Sequence, residues 1–299
     1  MMGLGLGLGW LRRGPAGPGA PAPYAGPLDG IPTYSAVAMK KLYSAYGGPC
    51  IRVRRTSDNA EFDIGFTGPS QQLDEADLLA QIGSNNAAIV TRYDHSGNGR
   101  HWTQPSAGSQ PRIVFAGIID RDSQGRPTAV FDGVDDYMGC QSAQNLTNGQ
   151  SGATMAGIAT FYSANATRPV ASFSVASAGT ARLLFGRRQA NDSFVQARNP
   201  DNGSAITTPG GVLTSNVQAR LIGRMEIGVG AAVFRDGLKS TGAAPTGATW
   251  PATGSAAAHM GRSDAIYLSG DIPFLALVQG VSDDITCAAI DAAMASLQE

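Results

Sequence analysis

Charge is scarce in this chain. Asp, Glu, Lys and Arg together make up 15% of its 299 residues and nearly cancel, to a net −1. That balance removes the electrostatic case for a nucleic-acid backbone or an anionic membrane surface as partner, while neutral ligands such as sugars are compatible with it. Cysteine is scarcer still. Cys50, Cys140 and Cys287 lie far apart, show no metal-ligand spacing and are odd in number, which speaks against a secreted disulfide framework and for free, buried thiols. No apolar run is long enough for membrane insertion. The N-terminus lacks the order of a signal peptide, because its apolar part precedes Arg12 and Arg13 rather than following them. No cofactor is called for.

Glycine (39) and proline (17) are plentiful instead, beside 42% hydrophobic residues. This mix suits many short strands joined by turns on a weakly charged surface. The chain opens with alternating Gly and Leu, which places Leu4, Leu6 and Leu8 on one face of an extended segment ending at Trp10. A segment of that kind is suited to lying against another protein's sheet edge, so these four residues are candidate anchors. A Pro/Gly/Ala linker follows, and residues 1–32 read as an anchoring peptide plus linker.

Order is expected from about Ser35. Ala36, Met39, Leu42, Tyr43 and Tyr46 mark one face of a helix that Gly47-Gly48-Pro49 would stop. Ile51 to Arg55 and Glu61 to Phe66 alternate as paired strands, Leu73 to Ile82 reads as a short helix, and Ala87 to Tyr93 as a buried strand. From Ile113 onward only short apolar runs and turns appear, among them Met155 to Phe161, Leu183 to Phe185, Val217 to Ile222 and Ile272 to Val278. Their spacing predicts a β-sandwich. A last helix, capped by Ser282 or Asp283, carries Ile285, Cys287, Ile290, Met294 and Leu297.

The densest local signal is Asp94-His95-Ser96-Gly97-Asn98-Gly99-Arg100-His101-Trp102, directly after the buried strand. Gly97 and Gly99 permit positive φ, and Asp94 and Ser96 can bond their own backbone, so the stretch is either a rigid corner or a ligand loop. Asp94, His95, Asn98, Arg100 and Trp102 are its ligand-binding candidates, although turn satisfaction alone explains the polar ones. Asp132, Asp135 and Asp136 form a carboxylate cluster able to hold a hard cation, or simply a solvated turn. Tyr267 could stack on a sugar face, though burial in a core is the commoner fate of an aromatic ring. Arg187 and Arg188 read as surface cover or as polar ligand contacts.

Three motifs in order carry a resemblance: Leu42-Tyr43-Ser44-Ala45-Tyr46, Arg52-Val53-Arg54-Arg55-Thr56-Ser57-Asp58, and Tyr93 to His101. They resemble the start of the fungal α-L-arabinofuranosidase B catalytic domain over roughly residues 35–110. In the second half, Val130 to Tyr137, Phe234-Arg235-Asp236-Gly237, Met260-Gly261-Arg262 and Gly270-Asp271-Ile272 are similar to laminin-G-like domains, here taken as residues 111–299. The resemblance implies a mainly β fold, a laminin-G/concanavalin A-like β-sandwich (jelly roll) with a few short helices and an extended N-terminal arm. A small helical N-terminal part would pack against it, with residues 33–299 as one compact unit.

The family is a retaining glycosidase and needs two carboxyl groups flanking the scissile bond. Its acid, an Asp after a Leu-Gly-containing strand, corresponds to Asp264. Its nucleophile, a Glu in an Asp-Met-Glu-Asn strand, has no counterpart in Phe194 to Asn199, and its adjacent cysteine pair is missing. Only four glutamates occur, at 61, 75, 226 and 299. With its Gly-Leu start, the chain is also similar to virion proteins of tailed bacteriophages. The expectation is therefore a non-enzymatic virion protein, a tail or head fibre or spike assembled in the host cytoplasm. It would be a homo-oligomer bound to other virion proteins through its N-terminal arm and would bind a host-surface glycan. The alternatives are an arabinofuranosidase-like glycoside hydrolase acting on surface polysaccharide, using Asp264 with Glu226 or the Asp135/Asp136 pair, and a purely structural decoration protein.

Overall fold

A computed structural model describes residues 23–140, 146–175, 181–199, 203–250 and 256–299. Leu4, Leu6, Leu8 and Trp10 lie outside the described residues. Strands dominate, and among the described residues the ladders between strands are antiparallel, with one isolated parallel bridge between Asn148 and Trp250.

Two layers organise them. In the first sheet, Arg168–Val175 lies between Ala181–Arg187 and Ala256–Met260. Asp192–Ala197 and Ile206–Val212 extend it on one side. On the other side Met138–Cys140, Trp102–Thr103, Ala87–Arg92, Ile51–Arg55 and Glu61–Ile64 follow in turn. In the second sheet the long strand Ser269–Gln279 pairs along one edge with Gly152–Phe161, which leads to Ala219–Glu226, Gly230–Arg235 and Leu238–Gly242. Along its other edge Ser35–Ala38 and Val130–Asp132 sit end to end. The layers join at a seam: Val130 pairs with Arg112, and Val114 of the same Arg112–Phe115 strand pairs with Ala87.

The apolar periodicity explains the layering. Alternate residues such as Met155, Leu221, Val233 and Leu275 point between the sheets and meet Phe173, Phe185, Val195 and Trp102 in the central core. Their neighbours Ile158, Ile222, Phe234 and Phe274 point the other way, onto Cys287, Ile290 and Met294 of the helix Asp284–Ser296. The second sheet is thus buried on both faces, which is why Gly152–Phe161 reads as one unbroken apolar run. The helix is N-capped by Asp283, whose carboxylate accepts from the Thr286 amide at 2.7 Å. All three cysteines are free and buried. Gly223 lets the layers approach, since a Cβ there would stand 2.7 Å from the Phe185 ring.

One expectation fails. Ala36 to Tyr46 is not a helix: Ser35–Ala38 is a fully buried strand in register with Leu277 to Phe274, and residues 39–48 form turns. The apolar spacing mimicked a helical stripe, but the open edge of Ser269–Gln279 offers these backbone groups a buried ladder, and that tertiary pairing overrides local propensity. The expected short helix is present as Glu75–Ile82, capped by Asp74. The 33–110 portion contributes Ser35–Ala38 to the second layer and Ile51–Arg55, Glu61–Ile64, Ala87–Arg92 and Trp102–Thr103 to the first, so it is woven into the sandwich rather than resting on it.

Candidate functional site

The Asp94 turn is spent on internal bonds. Asp94 is buried, and its carboxylate accepts from the amides of Ala36 (2.9 Å), Ser96 (3.0 Å) and Arg100 (3.0 Å) and from the Ser96 hydroxyl (2.8 Å). Its own amide donates to His101 Nδ1. Asn98 Nδ2 donates to the carbonyls of Thr33 and Tyr34, and the Arg100 guanidinium stacks 3.7 Å from the Tyr34 ring centre. Trp102 is fully buried, its Nε1 donating to Ser35 Oγ. His95 is buried between Tyr46 and Phe66, with ring centres at 4.8 and 5.2 Å. Burial, helped by Arg92, pushes its pKa down to about 3. Asp94, Asn98, Arg100 and Trp102 therefore tie the Thr33–Ala36 segment to the turn, while both buried ring nitrogens of His95 make no hydrogen bond among the described residues.

The acidic cluster is also internally satisfied. Carboxylate oxygens of Asp132, Asp135 and Asp136 lie within 4.8 Å of one another. Asp132 Oδ1 accepts from the amides of Val134, Asp135 and Asp136, while Asp136 Oδ2 accepts from the Asp132 amide and Asp135 from Ser109 Oγ. Burial and the Asp132 charge push Asp136 up to about 7. Glu226 ends the Ala219–Glu226 strand of the second sheet, in a pocket shared with Arg224, Val229 and Thr241, and so belongs to a different layer from Asp264.

Asp264 and Tyr267 come together elsewhere. After Met260 the first-sheet strand kinks at Gly261 (φ +78°), where a Cβ would sit 2.6 Å from the Phe131 ring. A small hairpin follows, pairing Arg262 with Tyr267 and Ser263 with Ile266 around an exposed Asp264. Ser172 Oγ donates to the Arg262 carbonyl at 2.6 Å, and Arg168 Nη1 donates to the Tyr267 carbonyl at 2.9 Å, so the hairpin leans on the Arg168–Val175 strand. Arg262 stands over Tyr137 at 4.6 Å and over Tyr267 at 5.7 Å, and His259 meets Tyr137 edge-on at 5.8 Å. Burial and Arg262 push His259 down to about 4, which keeps it neutral at neutral pH. Ala258 and Met260 point into the core, so His259 faces outward, on the side of the first sheet that the closing helix does not cover.

Sheet register decides which carboxyl groups can share this end. Ala258, Phe173, Leu183 and Ala197 are level across four strands, so Asn199 lies at the end opposite the hairpin. Asn199 is held there by bonds to the Thr246 and Thr249 carbonyls. The hairpin end is level instead with Arg168, Arg187 and Ser193. Asp192 is next in line, with the same strand parity as Phe194, which packs with Leu184 apart from the central core. Arg188 holds the Asp192 carboxylate from both nitrogens, at 2.8 and 2.6 Å. Sequence reasoning singled out Asp264 and Tyr267 and missed their neighbours Tyr137, His259 and Arg262. The outward position of His259 between two core residues was the available signal.

A family model described as α-L-arabinofuranosidase B, catalytic, matches residues 27–137. A crystal structure of an arabinofuranosidase complexed with arabinofuranosyl-α-1,2-xylobiose aligns at TM-score 0.67 and 15% identity, covering 91% of this chain and 65% of that one. A mutant GH54 α-L-arabinofuranosidase soaked with 4-nitrophenyl α-L-arabinofuranoside gives 0.68, with the same 15%, 91% and 65%. No curated protein matches the chain. The fold is therefore arabinofuranosidase B catalytic-domain-like, and the chain spans 65% of the length of these solved structures. These matches overturn the expectation of a non-enzymatic virion fibre or spike. That reading rested on the Gly-Leu start and on the missing family Glu, whereas the family model and the similar solved structures are arabinofuranosidases.

Proposed function

We propose that this chain is an arabinofuranosidase-like glycoside hydrolase, with its active centre on the outer face of the first sheet at the hairpin end. The observation that best supports the reading is the Arg262–Tyr267 hairpin, which carries Asp264, the residue the resemblance makes the acid, at the end of the first sheet where Asp192 also lies. In a retaining mechanism Asp192 would attack the anomeric carbon while Asp264 protonates the departing glycosidic oxygen, a pairing that requires the two carboxyl groups to stand ~5–5.5 Å apart across the substrate. The resulting ester is then cleaved by water, which yields its proton to Asp264 and releases Asp192. Arg188 holds the Asp192 carboxylate in a fixed orientation through two hydrogen bonds. Tyr137 and Tyr267 supply the aromatic surface that an apolar sugar face packs on.

The test is release of 4-nitrophenol from 4-nitrophenyl α-L-arabinofuranoside, and of arabinose from arabinofuranosyl xylo-oligosaccharides, by the full chain and two variants. Asp192→Asn is expected to abolish both. Asp264→Asn is expected to cost roughly 10²–10⁴-fold on the oligosaccharide and much less on the nitrophenyl substrate, whose leaving group needs no proton. A wild-type chain silent on both substrates overturns the function, and full activity in Asp192→Asn overturns the choice of nucleophile.

A further inference from the structure

We propose that the Arg262 guanidinium, held against Tyr137 and Tyr267, is a subsite for a carboxylated sugar, so that the preferred substrate carries a uronic acid beside the cleaved linkage. The inference deepens the glycosidase reading and rests on it.

Arg262 is half-buried, and its Nε is already committed to the Asp264 carbonyl at 2.9 Å. Among the described residues no carboxylate lies within ion-pair distance of it, in contrast to Arg188 beside Asp192 or Arg220 beside Asp291. Two tyrosine rings, at 4.6 and 5.7 Å, hold the cation in place. A guanidinium stacked in this way keeps its planar fork pre-organised, and partial burial raises the gain from an arriving anion. A carboxylate is the partner that fits the fork with two parallel hydrogen bonds. The flanking rings accept the apolar face of the same sugar, a combination a small inorganic anion would leave unused. Asp264 is two residues away on the same hairpin, so a sugar seated on Arg262 adjoins the bond that Asp264 would protonate.

The experiment is calorimetric titration of the full-length chain with glucuronosyl-xylotriose and with xylotriose, at low and high salt. Binding of the acidic sugar at least tenfold tighter than the neutral one, weakening with salt, is the expected result. Arg262→Gln should erase the difference and Arg262→Lys should restore part of it, with melting curves showing that both variants fold. Equal affinity for the two sugars overturns the proposal, as does a preference that survives in Arg262→Gln. Binding of neither sugar by a chain that still releases arabinose overturns this subsite and leaves the glycosidase reading standing. A chain that releases no arabinose yet prefers the acidic sugar through Arg262 does the reverse.

Discussion

Arg92 and Ile272 are 180 residues apart in sequence and joined by a hydrogen bond of 2.7 Å, from Arg92 Nη1 to the Ile272 carbonyl. Nη2 reaches the next carbonyl, Pro273, at 2.9 Å, and Nη1 also touches Met260 Sδ at 3.3 Å. The side chain crosses the core from the first sheet to the second, and burial pushes its pKa down to about 10. Replacing it by Met would leave two buried carbonyls without this donor, at about 1–3 kcal/mol each, partly offset by removing a buried charge. Arg92→Met is expected to lower the urea midpoint by the equivalent of about 2 kcal/mol. An unchanged midpoint would show that the bridge is dispensable.

Asp94→Asn exchanges one acceptor oxygen for a donor that must face an amide N–H. Four donors converge on this carboxylate, and hydrogen bonds to charged groups contribute roughly 1.5–3 kcal/mol each. A drop of about 3 kcal/mol is expected, with proteolysis near Ser35 rising in parallel as the first strand loosens. Stability equal to wild type would return the turn to the ligand-loop reading.

Opposing groups shape the pH dependence of stability. His95 and His259, pushed down to about 3 and about 4, are neutral in the folded chain where the unfolded chain binds protons. Their contribution is present above about pH 6.5, the ordinary histidine value, and is lost as pH falls through the folded values. Asp271 does the opposite. Buried and pushed up to about 7, it favours the folded state below about pH 4 and loses that contribution as pH rises through 7. Urea midpoints against pH should therefore show a shallower acid slope in His95→Phe, and a gain for Asp271→Asn at pH 8. A parallel shift of the whole curve in either variant would contradict the assignment.

Gly261→Ala combines a positive φ with a clash against Phe131. About 1–3 kcal/mol of strain is expected, and because the kink aims the hairpin, arabinose release should fall more than stability does. Unchanged kinetics at reduced stability would separate the hairpin from the chemistry.

Elements with a periodic apolar face were legible in the sequence. The strand Ala87–Arg92, the long strand Ser269–Gln279 and the closing helix with its Asp283 cap all follow from patterns within one segment. Ser35–Ala38 did not, because its partner lies far along the chain and the spacing of Ala36, Met39 and Leu42 imitates a helix. Of the residues gathered at the hairpin, Asp264 and Tyr267 alone were singled out from the sequence. Tyr137 reaches Arg262 through the pairing of Met138 with Met260, and Asp192 shares the hairpin's level only through register carried across the intervening strands. Such neighbourhoods leave no local trace, and the run Arg187-Arg188 hid a carboxylate partner in what reads as plain surface.

The seam from Ala87 through Val114 and Arg112 to Val130 carries a consequence for inheritance. Residues 27–137, the part matched by the family model, supply strands to both layers, and their edges are completed by strands from the second half. That part could not be gained, lost or exchanged as a cassette, since either half alone would expose unpaired strand edges and half a core. Divergence in such a chain is confined to side chains and loops, so chemistry can drift at the sheet ends while the frame is transmitted whole.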